Sequence, residues 1–299
     1  MADAATNQSG WSQAWRAHAG GVGWVALAVT AALVVLVAAT TWAGVTGALP
    51  LAVCGALQFV WFYLAFTPLH EAVHGAIAGR NRALRPLETA IGWLCTAPYL
   101  AAYPAFRWIH LRHHGVVNQG ARDPDAWVAG SNALTTALRC LTIVPHYHAW
   151  IVASGLREPA KRRTAVAAEV GTVAILAIAV ALGAAWSWTG VFALWIVPGL
   201  LAAGALALVL DWMPHHPHDD TGRFTNAVEL RFPGASALMM GQHHHLVHHL
   251  WPSVPVHRLP RLWNEVEVDL RERGAHVTGR PGLARRSECG LDADQDATP

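Results

Sequence analysis

Three short stretches carry histidines at spacings suited to holding metal ions. His70 and His74 flank the sequence HEAVH, His110, His113 and His114 form HLRHH, and His245, His248 and His249 form HLVHH. On a helix, positions i, i+3 and i+4 share one face roughly 5–6 Å apart, so each stretch can aim two or three imidazoles at one point. Neutral imidazole suits iron, zinc and copper. Eight such side chains exceed the needs of one ion and match two. A fourth group, His215, His216 and His218, lies further along the chain. Isolated His18, His257 and His276 read as hydrogen-bonded structural residues, and His146 and His148 as interfacial ones.

HEAVH alone is ambiguous. It matches HExxH, in which two histidines bind zinc and the glutamate is a general base. A membrane zinc protease therefore competes, but it needs one further ligand and leaves HLRHH and HLVHH without a role. Glu71 points about 100° around a helix from His70. In the two-metal reading it orients an imidazole instead.

The elements that must position these residues are apolar. The chain has 54% hydrophobic and 13% charged residues and a mean hydropathy of +0.29. About a quarter charged is usual for a soluble domain, so the balance points to a membrane protein. Crossing a bilayer takes about 20 apolar residues. Val22 to Trp42, Leu49 to Pro68, Thr164 to Ala184 and Val191 to Leu210 qualify. They predict four transmembrane helices in two hairpins, an all-α integral membrane fold whose cytoplasmic helical cap carries the histidine stretches. The hairpin tips lack charge, whereas Arg16, Arg80, Arg82, Arg85, Arg157, Arg162 and Arg163 crowd the other side. The positive-inside rule then places both termini, the long 70–163 loop and the metal site in the cytoplasm, with the helices in the inner or cell membrane. Trp42, Trp186 and Trp188 fall at the outer ends, where an aromatic belt is expected.

Two more apolar stretches, Leu87 to Phe106 and Asn132 to Val152, are interrupted by prolines and polar residues. Both are read as interfacial or re-entrant segments on the cytoplasmic leaflet. Residues 1–20 form a cytoplasmic N-terminal segment with no cleavable signal, 21–273 one membrane domain, and 274–299 a loose tail. The net charge of +2 gives no reason to expect a nucleic-acid partner. Cys54, Cys95, Cys140 and Cys289 form no CxxC pair and read as small hydrophobes.

These stretches resemble the membrane fatty-acid desaturase and hydroxylase superfamily, whose signature is HxxxH, HxxHH and HxxHH, and most narrowly the desaturase-type β-carotene hydroxylases. The resemblance rests on HLRHHGVVNQGARDPD (110–125), DWMPHHPHDDTGRFTNA (211–227) and GQHHHLVHHLWPSVP (241–255), and covers about residues 50 to 265. It implies a di-iron site held by His70, His74, His110, His113, His114, His215, His245, His248 and His249. There are departures: Glu71 stands where the family usually has Asp, and His243 and His244 where it usually has Asn and Tyr. His243 could therefore add a ligand. Asp123 and Asp125 match the family's DPD, and could accept hydrogen bonds from ligating imidazoles or pair with Arg112 or Arg122.

The resemblance further implies an O2-dependent oxygenase with two iron ions that hydroxylates a lipid-soluble carotenoid ring of the β-carotene type. An acyl-lipid desaturase with the same core is the alternative within the superfamily. A zinc protease or histidine-rich metal-binding protein is the alternative outside it. No stretch resembles a flavin, haem or iron–sulfur module, so electrons are expected from a partner such as ferredoxin and its reductase. The arginine-rich face could dock an acidic donor.

Overall fold

The computed structural model describes residues 13–278. The chain is mostly helical. Four helices are long and apolar enough to cross a membrane: α1 (Trp24–Val45), α2 (Leu51–Val73), α7 (Arg162–Ala185) and α8 (Trp188–Trp212). Their outer faces expose large apolar side chains such as Val35, Val170, Val173 and Val180, which suits lipid and not water. Of the four, α8 is the most enclosed, with 56% of its apolar window buried against 22–33% in the others. It is the central strut. Two π-helical stretches interrupt it, Phe192–Ile196 and Ala207–Trp212. Gly199 of α8 lies directly against the carbonyl of Pro98, where no Cβ would fit.

Side-chain hydrogen bonds join α1 to α2 within this apolar setting. Gln58 Nε2 donates to Thr41 Oγ1 (2.8 Å) and Trp61 Nε1 to Thr40 Oγ1 (3.1 Å). Thr30 donates back to the Ala26 carbonyl of its own helix, which satisfies its hydroxyl without a partner helix.

The second span is longer than its sequence suggested. It was expected to end at Pro68, but α2 runs through Pro68 to Val73. A proline deletes one backbone hydrogen bond, which neighbouring structure can absorb in a membrane helix. As a result His70 lies inside the last turn and His74 at its C-cap, one turn apart on one face.

Each of the two interrupted stretches folds as a pair of short helices, too short to cross alone. Leu87 to Phe106 becomes α3 (Arg85–Thr96) and the start of α4 (Tyr103–Gly115), separated by a turn in which Leu100 adopts φ +56°. Asn132 to Val152 becomes α5 (Ala133–Leu141) and α6 (Ile143–Arg157), broken at Thr142. Asn132 caps α5 through a capping box with Thr135.

The remaining elements form a small cap with its own core. Here α9 (His245–Leu250) packs between α10 (Leu259–Glu272) and β1 (Val228–Leu230). The stripe Leu259, Leu262, Trp263, Val266 and Leu270 is fully buried, the spacing of an amphipathic helix. Strand β1 pairs in parallel with β2 (His276–Thr278), with Val228 opposite His276. The all-α expectation missed this two-stranded sheet. Ordered structure also continues past the expected boundary at 273, because β1 supplies hydrogen bonds to β2. The rest of the expected tail, 279–299, lies outside the described residues.

Glu88 anchors the loop that follows His74. Its Oε1 accepts from the backbone N–H groups of Ile77 (3.1 Å) and Ala78 (2.9 Å), and its Oε2 accepts from Arg85 (2.6 Å). Ile77, Ala78 and Glu88 are all buried. Glu88→Ala should therefore strand two buried donors at a cost of about 1–3 kcal/mol each, while Glu88→Gln keeps an acceptor and loses less. Thermal unfolding of the detergent-solubilised variants, with Glu88→Ala melting clearly lowest, is the check.

Candidate metal centre

Three helices, α2, α4 and α9, and the turn that follows α8 and carries His215 deliver nine imidazoles into two adjoining nests. In the first, one nitrogen from each of His70, His74, His110, His114 and His248 lies within 4.8 Å of all the others. In the second, His113, His215, His245 and His249 meet the same limit. The rings of His114 and His249 stack across the boundary, with centroids 4.3 Å apart.

This arrangement sharpens one expectation. Each HxxHH stretch was read as able to aim two or three imidazoles at one point, and each aims two. His110 and His114 enter the first nest and His113 the second, while His245 and His249 enter the second and His248 the first. Helix geometry explains the split. Positions i and i+4 lie only about 40° apart around the axis, whereas i+3 and i+4 lie about 100° apart. Hence i and i+4 form a pair, and i+3 turns to the neighbouring nest.

The donor set fits metal ions. In the first nest Nε2 of His74 is 2.8 Å from that of His110, His110 is 3.2 Å from His114, His114 is 3.1 Å from His248, and His248 is 3.0 Å from His70. In the second, His245 Nε2 is 2.9 Å from His215 and 3.1 Å from His249. Nitrogens bound at about 2.0–2.1 Å to one ion sit about 3 Å from their neighbours. Hydrogen bonding alone serves the row poorly. Each Nε2 offers one hydrogen or one lone pair, yet His110, His114, His248 and His245 each face two partners. A cation that takes every lone pair removes the conflict.

The nests also favour the neutral imidazoles that metal binding requires. Burial, and then repulsion among neighbouring rings, holds His110, His114, His248, His215 and His249 well below the usual histidine range. The same causes, with Arg107 contributing, hold His74 there, and His245 is lowered to about 3. His113 differs. Burial lowers it, but Asp123 and Asp125 outweigh that and raise it to about 9.

Two ligand-type tautomers are fixed by partners. His113 Nδ1 donates to Asp123 Oδ1 at 2.9 Å, with Asp125 Oδ2 at 3.4 Å, so its Nε2 is free to face the nest. Asp123 is itself held by the backbone N–H groups of Asn118 (2.8 Å) and Asp125 (3.0 Å). His215 Nδ1 donates to the carbonyl of Asn226 at 3.0 Å. Of the two roles open for Asp123, the structure shows acceptance from an imidazole.

Other singled-out residues lie elsewhere. Glu71 does not hydrogen-bond an imidazole; its Oε1 accepts from the backbone N–H of Val256 (2.9 Å), tying the end of α2 to the cap. His243 belongs to neither nest and packs against His244. His244 donates instead to Glu229 (2.9 Å), whose other oxygen accepts from the N–H of Val247 at the start of α9. His216 and His218 are also outside both nests. His146 stacks on Trp127.

A largely apolar cavity opens beside the first nest, among α2, α4, α6 and α8. His110 forms part of its wall, with Phe66, Phe106, Ile109 and Leu206. The same cavity has one polar patch that sequence reasoning missed. Tyr147 O–H lies 2.7 Å from Asp125 Oδ1 and 3.3 Å from Asp211 Oδ2. One phenolic hydrogen cannot serve both carboxyl groups, so the three side chains together hold an additional proton when both contacts form. Burial raises Asp125 to about 6, the direction such sharing requires. An aspartate at the end of a long apolar run was the available signal for Asp211.

The fatty acid desaturase family model matches residues 40–281. A β-carotene ketolase of Paracoccus sp. (strain PC1) is 31% identical over 260 residues, covering 79% of this chain and 91% of that protein. A second β-carotene ketolase, of Paracoccus sp. (strain N81106 / MBIC 01143), is 29% identical over 222 residues, covering 70% of this chain and 78% of the relative.

The contrast between Asp123 and Glu71 is testable. Asp123→Asn should weaken metal retention by about 10–100-fold through the loss of charge behind His113. Glu71→Gln should leave retention unchanged. Metal content per chain after dialysis against graded chelator measures both.

Proposed function

The chain belongs to the fatty acid desaturase family, and on that premise we propose that it is a membrane di-iron oxygenase that hydroxylates a carotenoid ring of the β-carotene type. The observation that carries this reading is the pair of histidine nests, five nitrogens and four, beside an apolar cavity. His70, His74, His110, His114 and His248 would hold one iron, and His113, His215, His245 and His249 the other. When bound, the two ions supply reductive activation of dioxygen.

The protein's own residues supply the rest. Asp123 keeps His113 in the tautomer that presents Nε2. The phenylalanines and aliphatic side chains of the cavity bind a hydrocarbon and exclude water. Tyr147, Asp125 and Asp211 hold their shared proton at the cavity wall. Alcohol and ketone outcomes share a first C–H hydroxylation: a second hydroxylation at the same carbon gives a geminal diol, which loses water to a ketone. The relatives named as ketolases make the ketone a product to look for alongside the alcohol.

The same reading arranges the spans as two hairpins in the inner or cell membrane, one domain over 21–273, with the termini, cap and metal site cytoplasmic. The uneven placement of arginines supports it. Electrons then come from a soluble donor such as ferredoxin, through the arginine-rich cytoplasmic face. An acyl-lipid desaturase is the second reading, favoured by the description of the matching family.

Expression in β-carotene-accumulating cells decides between them. Ring-hydroxylated or ring-keto pigment is expected; unchanged pigment with altered acyl unsaturation defeats the carotenoid reading. His114→Ala and His249→Ala should each abolish turnover and lower bound iron from two per chain, while the protein still inserts. His18→Ala should do neither, because His18 pairs with Glu265 away from both nests. A single zinc per wild-type chain would sink the oxygenase reading.

A further inference from the structure

A charged side chain stands in the third membrane-spanning helix without a place in the chemistry described so far. Glu169 lies two turns into α7, a span of mean hydropathy 2.3, and is only partly buried. Ionisable groups in such helices are costly and mark functional paths. Its partner is His148 of α6, whose Nδ1 lies 3.1 and 3.2 Å from the two carboxylate oxygens.

The pair sits between two spaces. His148 forms part of the wall of the apolar cavity that reaches His110. Glu169 forms part of the wall of a separate groove between α6 and α7, open on the outer surface and lined by Val152, Leu156, Val166, Val170 and Val173. Those five side chains are all exposed, and all are apolar. The floor beneath is closed by small residues in tight contact, Gly155 of α6 against Ala165 of α7. Cavity and groove therefore share one wall, and the hydrogen-bonded pair spans it.

We propose that the groove between α6 and α7 is the lateral port through which the lipid-soluble substrate enters from the bilayer, with the His148–Glu169 contact as its gate. The occupant is a long apolar hydrocarbon, because Val152, Leu156, Val166, Val170 and Val173 line the groove, Arg162 is its one basic side chain, and the cavity behind it is largely apolar. The port rests on the oxygenase reading for its purpose. Breaking one hydrogen-bonded contact joins groove to cavity, and the polar pair keeps the cavity sealed from lipid between turnovers.

The test fills the groove. Val166→Trp/Val173→Trp places two indoles in it, and Val180→Trp places one on the same helix, equally exposed but outside it. Full-length proteins are reconstituted in phosphatidylcholine vesicles containing β-carotene, with iron content measured for each. The port predicts at least a tenfold loss of kcat/KM in the double variant, none in Val180→Trp, and unchanged iron in both. Equal kcat/KM in the two variants overturns it. Wild-type protein that oxidises acyl chains and not β-carotene defeats the carotenoid reading, and the same ratio measured on the acyl lipid still decides the port. Should the wild type turn over neither, a benzophenone amino acid at 166 or 180 decides. Added β-carotene must slow photolabelling of vesicle lipid at 166 and not at 180, and equal protection at both overturns the port.

Discussion

Nine imidazole nitrogens facing one another inside a protein are a conflict that the rest of the structure must support. Each ring is polar, most are buried, and the close Nε2 contacts cannot all be hydrogen bonds. Burial and mutual repulsion keep His110, His114, His215 and His249 neutral, which leaves lone pairs for a cation, while Asp123 and Asp125 push His113 the other way. Such a constellation persists only if the backbones that carry it are held from outside. The helices meet that demand with unusual side-chain anchors. Glu88 clamps the loop after His74, Glu71 ties α2 to Val256, and Glu229 fixes both His244 and the first turn of α9. Three buried carboxylates thus act on backbone N–H groups around the nests and not on the nests themselves.

Helix geometry distributes the ligand-type residues between the nests. Within HLRHH and HLVHH the i, i+4 pair serves one nest and the i+3 residue the other, in opposite senses for the two stretches. Each stretch therefore bridges the two nests, and their separation is set by rigid helix rather than by a loop. The stacked rings of His114 and His249 lie at the seam.

Much of this was legible in the chain. The four spans followed from apolar length, and all nine imidazoles in the nests were found from spacing or resemblance. The division into five and four was not, because it depends on which way α4 and α9 are rolled, and tertiary packing decides that. Asp123 behind His113 was legible from the DPD stretch, but the contacts around the nests were hidden for another reason. Tyr147 meets Asp211 across 64 positions, and Val256 meets Glu71 across 185, so no local pattern marks them. Glu71 misled because its neighbours in HEAVH suggested a role that its direction does not allow. The β1–β2 pair is two strands of three residues each, too short for alternation to show.

The cavity beside the first nest links this architecture to selectivity. Hydrocarbon offers no hydrogen bonds by which a protein can orient it, so shape must do the work. Phe66 and Phe106 stand edge to face, 5.9 Å between centroids, and each also stacks on a histidine of the first nest, His70 and His110 respectively. The walls that would confine a hydrocarbon are thereby locked to the groups that would hold the metal. A shift of one would move the other. The polar patch in the same cavity is compatible with an apolar guest because Tyr147 joins Asp125 to Asp211, so the carboxyl groups spend their hydrogen-bonding capacity on each other's partner and not on the substrate. An apolar guest therefore meets aromatic faces and satisfied polar atoms, and its position relative to His110 is fixed by packing alone.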